Sequence, residues 1–271
     1  MGMEESSLLQ LSQVLKVFNE GSPDEKMALN QIDLELKQGD FVTVIGSNGA
    51  GKSTLMNLIS GKILPDSGKI ILNGTDLTYA GEHRRARKIG RVFQDPLAGT
   101  APTMTIEENL AIAYARTKRA GLSFGVTNKR KLFFKEKLEE LHLGLENRLS
   151  AKVGLLSGGE RQALSLLMAT FTEPDILLLD EHTAALDPSR AQLITELTKK
   201  IVREHKLTTL MVTHNMQQAL DLGNRLIMMD SGEIIYEADQ NAKQTLTIDQ
   251  LMNEFQKLKR NTQISDRSLL G

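Results

Sequence analysis

The sequence predicts an α/β protein with a mixed sheet core, an antiparallel β edge subdomain and an inserted α-helical subdomain. Three observations carry this. Apolar and polar residues alternate in the stretch ending at Leu36, a strand, glycine loop and helix follow over Phe41–Ile59, and beyond Ser157 helical and strand patterns alternate as far as Met229. Period-two alternation marks half-buried strands, whereas βα alternation marks a parallel sheet that presents ligands at its strand ends.

In the first block, the alternation around Leu11, Val14, Leu15 and Val17 and again at Ile32, Leu34 and Leu36 is broken by the turn-rich Glu20-Gly21-Ser22-Pro23-Asp24. Two antiparallel edge strands are expected there. The β-rich run Phe41–Ile45 ends in glycine, and Lys52–Ile59 has helical character. Between Gln94 and Ser157 the pattern is helical, opened by the capping box Thr105-Ile106-Glu107-Glu108, with a second helix over Lys129–Leu141 and a loop at Gly121–Gly125. After Ser157 come a helix, a strand at Ile176–Asp180, a helix at Ser189–Glu204, a strand at Thr208–Thr213, a helix at Asn215–Leu222 and a strand at Arg225–Met229. Thr247-Ile248-Asp249-Gln250 caps a last helix whose Ile248, Leu251, Met252 and Phe255 form a stripe expected to pack on the core. Residues 1–260 read as one domain, with the helical subdomain at about 95–156 and a polar tail at 261–271.

The composition narrows the function classes. With 40% hydrophobic and 25% charged residues among 271, the chain has the make-up of a water-soluble globular protein. Its longest apolar run, Leu110–Ala115, is far short of the ~20 residues that cross a bilayer, so neither a spanning helix nor an export signal is expected. Thirty-three basic and 34 acidic residues give a formal charge of -1, which supplies no global field for a nucleic-acid backbone. The lack of cysteine excludes disulfides and thiolate chemistry and leaves oxygen ligands for any catalytic metal. The basic clusters Arg84-Arg85-Ala86-Arg87-Lys88 and Lys129-Arg130-Lys131 read as solvated helix faces.

Gly46-Ser47-Asn48-Gly49-Ala50-Gly51-Lys52-Ser53-Thr54 matches the phosphate-loop pattern G-x-x-x-x-G-K-[ST], between a buried strand and a helix. Its glycines let backbone amides turn inward around phosphate, Lys52 suits the β and γ phosphates, and the Ser53 hydroxyl suits Mg²⁺. Ile176-Leu177-Leu178-Leu179 is an apolar strand ending in Asp180-Glu181. Asp180 is placed to hold Mg²⁺, and Glu181 to polarise a water for attack on a γ-phosphate. Together the two motifs specify a P-loop nucleoside triphosphatase that uses Mg²⁺ and nothing finer, since P-loop proteins include kinases and GTPases.

Leu156-Ser157-Gly158-Gly159-Glu160-Arg161-Gln162 has the form of the ABC signature, and here the chain resembles the ABC ATPases, which makes the expected fold a P-loop NTPase of ABC type. The chemistry of the signature is a second phosphate nest, built from the Ser157 hydroxyl and the Gly158 and Gly159 amides at a helix start. The resemblance implies that this nest serves an ATP held by the opposite subunit, so that two cassettes bury two nucleotides head to tail. It further implies adenine stacking by Phe18, contact of Gln94 with Mg²⁺, a D-loop at Asp187 and a γ-phosphate contact by the switch histidine His214. Where the family usually has proline after the catalytic glutamate, this sequence has His182, read as replacing a surface proline.

The segments Gly99–Leu110, Asp180–Asp187 and Gly223–Met229 resemble a bacterial subgroup of tryptophan/tyrosine-type uptake ATPases. This implies an importer motor on the cytoplasmic face of the membrane. Its expected partners are membrane permease subunits, a second nucleotide-binding subunit in a homodimer and an extracytoplasmic solute-binding protein, with no nucleic acid. A permease coupling helix is expected in a cleft beside Gln94 to Asn109. The rival class, a DNA- or ribosome-directed ABC ATPase, is opposed by the single cassette, the neutral charge and a Lys52-to-Ser157 interval too short for long coiled coils.

Overall fold

The computed structural model describes residues 7–116 and 127–257, so the expected loop at Gly121–Gly125 and the tail at 261–271 lie outside the described residues. In chain order the elements are β1 (Ser7–Phe18), β2 (Lys26–Lys37), β3 (Phe41–Gly46), α1 (Lys52–Ser60), β4 (Ser67–Leu72), β5 (Thr75–Asp76), α2 (Glu82–Arg85), β6 (Ile89–Val92), α3 (Ile106–Ala115), α4 (Asn128–Glu139), α5 (Gly158–Thr170), β7 (Ile176–Asp180), α6 (Pro188–Glu204), β8 (Thr208–Val212), α7 (Met216–Asp221), β9 (Arg225–Asp230), β10 (Glu233–Ala238) and α8 (Gln240–Thr245). A further helix covers 248–257. The chain divides into two compact units, one of residues 1–80 with 210–271 and one of residues 81–209.

The first unit holds an antiparallel sheet in the order β2-β1-β4-β5 and, in a second sheet, the run β10-β9-β3-β8. β9 runs parallel to β3, and β10 returns antiparallel to β9. The pairing of β4 with β5 was not expected from the sequence, although Asn73-Gly74 between them is a strong hairpin signal: both residues have positive φ, at 48° and 69°. Buried Leu9 and Leu11 on β1 and Ile32, Leu34 and Leu36 on β2 alternate as read in the sequence, while irregularities at Gln13 and Gln31, both at positive φ, shift the period by one so that Val14 and Leu29 are also buried. The helix over 248–257 buries Leu251 completely and packs Phe255 on a cluster with Ile45, Leu226 and Met228. Ile248 and Met252, expected on the same stripe, are 38% and 40% exposed, so the buried face is narrower than the sequence pattern.

In the second unit β6 and β7 pair in parallel, from Ile89 opposite Ile176 to Val92 opposite Leu179. Ile176, Leu177, Leu178 and Leu179 are all fully buried, as expected of a strand covered on both faces. A Cβ on Gly90 would sit 2.5 Å from the Ala169 carbonyl oxygen, so glycine lets α5 approach β6 closely. α3, α4 and α5 gather around Tyr114, Phe133, Phe134 and Phe171, whose ring centroids lie 5.4–6.3 Å apart. The capping box predicted at Thr105–Glu108 is present. Arg85 corrects the reading of its cluster as a solvated helix face, because its side chain is fully buried.

Candidate functional site

In the first unit the chain leaves β3 and turns through Gly46–Gly51 into α1. A Cβ on Gly46 would overlap the Met229 carbonyl, and one on Gly51, at φ 99°, would lie 2.5 Å from the Ala28 carbonyl oxygen. The loop therefore needs glycine at both places. Gly51 caps α1 without a side-chain acceptor, and no acidic residue occupies the first turn, so the positive end of the helix faces outward uncompensated by side chains. Lys52 Nζ curls back to donate to the carbonyls of Gly46 and Ser47, at 2.9 Å each. Ser47 Oγ donates to Asp230 Oδ1 at 2.5 Å, tying the loop to the end of β9, while Ala50 O accepts from Gly232 N at 3.1 Å. Asn48, Gly49 and Ser53 are exposed, Ala50 is buried and Thr54 is half-buried.

Phe18 ends β1 and is 36% exposed, which leaves ring surface for a base. Lys16 Nζ lies 5.6 Å from the ring centroid and pairs with Asp66 at 2.7 Å. Asp66 also accepts from Val17 N at 2.6 Å and is held below the usual carboxylate range, because these donors outweigh the opposing effect of burial. His214 is exposed in the segment between β8 and α7. That segment is fixed by Thr213 Oγ1, which accepts from Asn215 N at 3.1 Å, and by Asn215, which caps α7 through Gln218 N at 2.9 Å.

In the second unit, β7 ends at half-buried Asp180 and Glu181 follows. Arg91 on β6 donates to Asp180 Oδ2 at 3.0 Å and stacks its guanidinium 4.8 Å from the Phe93 ring centroid. Glu181 has φ 47°, the left-handed conformation that favours glycine, and its carbonyl accepts from Ala184 N at 2.9 Å in the turn that follows. Gln94 is exposed just beyond Phe93, whose carbonyl accepts from Gln162 Nε2 on α5 at 3.3 Å. His182 is 2% exposed and bonded to Thr198 on α6, so it is no stand-in for a surface proline.

Ser157 caps α5: its Oγ accepts from Glu160 N while Glu160 accepts from Ser157 N at 2.7 Å. Burial opposes ionisation of Glu160, but the Ser157 and Arg148 donors prevail and its carboxyl titrates below the ordinary value. The Ser157 hydroxyl accepts from Glu160 N in the cap and, with the backbone amide, also supports the Glu160 carboxylate. A Cβ on Gly158 would meet Leu186 at 3.2 Å and one on Gly159 would meet Arg190 at 3.3 Å, so the signature glycines abut the start of α6. There exposed Asp187 is the N-cap, accepting from Arg190 N at 3.1 Å.

Each unit thus gathers its own part of the predicted site. Phe18, Gly46–Thr54 and His214 belong to the first, and Gln94, Ser157, Gly158, Gly159, Asp180, Glu181 and Asp187 to the second. Sequence reasoning missed Asp230, Arg91 and Thr198. Arg91 had one readable signal, its period-two spacing to Phe93, and the other two had none.

Residues 29–184 match the family model described as ABC transporter. The chain belongs to that family. It is the ATP-binding, ATP-hydrolysing subunit of an ABC transporter, and its mixed core sheet with an antiparallel β subdomain is the ABC ATPase fold. It is 43% identical to a tyrosine transport ATP-binding protein of Clostridioides difficile (strain R20291), over 92% of this chain and 99% of that one. It is 36% identical to the glycine betaine/carnitine/choline transport ATP-binding protein OpuCA of Bacillus subtilis (strain 168), over 84% of this chain but only 57% of that longer protein. Among solved structures, a dimeric post-hydrolysis state of the ATP-binding cassette MJ0796 bound to ADP and Pi matches with TM-score 0.73 and 30% identity, covering 86% of this chain and 98% of that one.

Proposed function

We propose that this ABC ATPase powers uptake of tyrosine or a related aromatic amino acid, working at the cytoplasmic face of a bacterial membrane. The observation that carries the cargo class is the 43% identity, over nearly the whole of both chains, to a tyrosine transport ATP-binding protein. Among the described residues no helix is long and apolar enough to cross a membrane, so permease subunits on other chains supply the path. An extracytoplasmic binding protein delivers the cargo to them.

Residues 1–260 act as one ATPase domain with its helical part at about 95–156. Adenine stacks on Phe18, and the amides of Gly46–Thr54 and the Lys52 ammonium receive the phosphates. Ser53, Asp180 and Gln94 would hold Mg²⁺, which neutralises phosphate charge when bound. The donor set suits it: all three offer oxygen, Ser53 is exposed on the first turn of α1, and Arg91 engages only Oδ2 of Asp180. Among the described residues no cluster of three His, Asp or Glu side chains exists, which fits an ion that takes its remaining ligands from phosphate and water.

Glu181, the residue just beyond β7, polarises the attacking water. His214 donates to the γ-phosphate. The Ser157-Gly158-Gly159 nest, beside Asp187, receives the γ-phosphate held by a second copy of this chain. Dimeric structures of the similar cassette MJ0796 support that arrangement. Mixing Ser157→Arg and Lys52→Ala chains should then leave at most one intact composite site per heterodimer.

The cargo is tested by purifying the chain with its membrane partner and binding protein and measuring ATPase stimulation by tyrosine, tryptophan, phenylalanine and unrelated solutes. Stimulation by the aromatic amino acids alone supports the proposal, and stimulation only by an unrelated solute overturns it.

A further inference from the structure

β1 and β2 bring one more cation to the nucleotide side of the first unit. Phe18, the last residue of β1, lies opposite Lys26, the first residue of β2, in the antiparallel register. From that position Lys26 reaches the phosphate loop, where a Cβ built on Gly49 would lie 3.8 Å from Lys26 Nζ. The side chain thus borders both the aromatic platform and the glycine loop.

Its charge is uncommitted, unlike that of the neighbouring lysines. Lys16, also beside Phe18, is paired with Asp66 at 2.7 Å, and Lys52 is folded onto the carbonyls of Gly46 and Ser47. Lys26 is exposed and, among the described residues, makes no ion pair or side-chain hydrogen bond. An extended, flexible ammonium costs side-chain entropy when it is fixed, and near a binding loop that cost is offset only if an anion arrives. A nucleoside triphosphate with its base on Phe18 and its phosphates over Gly49 would bring that anion within reach.

We propose that Lys26 is a nucleotide-binding residue whose ammonium contacts the phosphate chain of bound ATP. This rests on the assignment of Phe18 and Gly46–Thr54 to the nucleotide. A typical net hydrogen bond corresponds to about a two- to tenfold change in affinity. Lys26→Ala should therefore weaken ATP and ADP about equally by that factor, leave adenosine unaffected, and raise the KM for ATP with little change in kcat. Lys26→Arg, which keeps the charge, should restore most of the affinity.

The test is fluorescence titration of the full chain with MANT-ATP and MANT-ADP, competition by adenosine, and a melting curve showing that the variant is folded. Selective loss of di- and triphosphate affinity with rescue by arginine supports the proposal. Unchanged dissociation constants in a folded Lys26→Ala variant overturn it while the wild-type control still binds, which leaves the rest of the site standing. Equal weakening of adenosine also overturns it, because the lysine would then act through the platform rather than on phosphate. Failure of the wild-type chain to bind nucleotide would instead overturn the site assignment itself.

Discussion

His182 Nε2 lies 3.0 Å from Thr198 Oγ1, and the Thr198 hydroxyl is already spent on the Ile194 carbonyl at 2.8 Å. The threonine oxygen must therefore accept, which makes Nε2–H of a neutral imidazole the donor. The turn that carries Glu181 is thus pinned to α6 by a buried side chain one residue further on. Burial away from water pushes the His182 pKa down to about 4 from its ordinary 6.5.

The burial of this neutral imidazole makes stability depend on pH. Between the two pKa values the unfolded chain binds the proton that the folded chain refuses, so stability is complete above pH 6.5 and falls as the pH drops towards 4, by about 3 kcal/mol in all. Urea unfolding at pH 7.5 and pH 5 should show the loss in wild type and a flatter response in His182→Gln. Thr198→Val should cost about 1–3 kcal/mol at pH 7.5 by stranding the Nε2–H, whereas Thr198→Ser should cost less. Identical pH slopes for wild type and His182→Gln would contradict the account.

Lys243 supports a second prediction, about how the chain after β10 is held. The residue is 6% exposed, and the three N–H groups of its ammonium are shared among the carbonyls of Leu222, Gly223 and Arg225 and Thr43 Oγ1. Burial lowers its pKa to about 8, against the opposing pull of Asp221. Lys243→Met preserves the apolar stem but leaves those carbonyls short of a donor, so it should lower stability by about 2 kcal/mol, read as an earlier urea midpoint. An unchanged midpoint would mean that water replaces the ammonium freely.

Much of this molecule was legible because local pattern and global fold agree. β7 was readable because four consecutive apolar residues can be buried only where both faces are covered, and the capping box at Thr105 because a Thr three residues before Glu satisfies the same amides in any context. His182 was misread because its partner lies on α6 and reaches it only after the turn has formed. Arg91 meets Asp180 through the parallel register that sets Arg91 opposite Leu178, a tertiary contact that its readable spacing to Phe93 does not foretell. Arg85 failed for the opposite reason: a run of basic residues looks solvated whatever the burial of one member.

The surface near Gln94 to Asn109 should separate coupling from chemistry. Asn109, 1% exposed, clamps Ala101 by accepting from its N at 2.7 Å and donating to its O at 3.0 Å, and Gly154 N donates to the Pro102 carbonyl at 2.9 Å. Next to Gly154, Leu155 is 77% exposed and lies beside this surface. Leu155→Asp and bulky changes at Thr100 or Ala101 should reduce permease pull-down several-fold while basal ATPase activity stays within about twofold. Full permease binding by all of these variants would move the docking site elsewhere.

Glu181 carries the central claim, that this chain hydrolyses ATP with a carboxylate held just beyond β7. Glu181→Gln keeps the size of the side chain and leaves Lys52, Ser53 and Asp180 in place, so nucleotide binding should persist while the base is lost. Steady-state phosphate release, measured beside MANT-ATP affinity on the same preparation, tests this most directly. The expected result is a fall in turnover of at least about a hundredfold with the dissociation constant within about threefold of wild type. Hydrolysis at the wild-type rate would contradict the assignment.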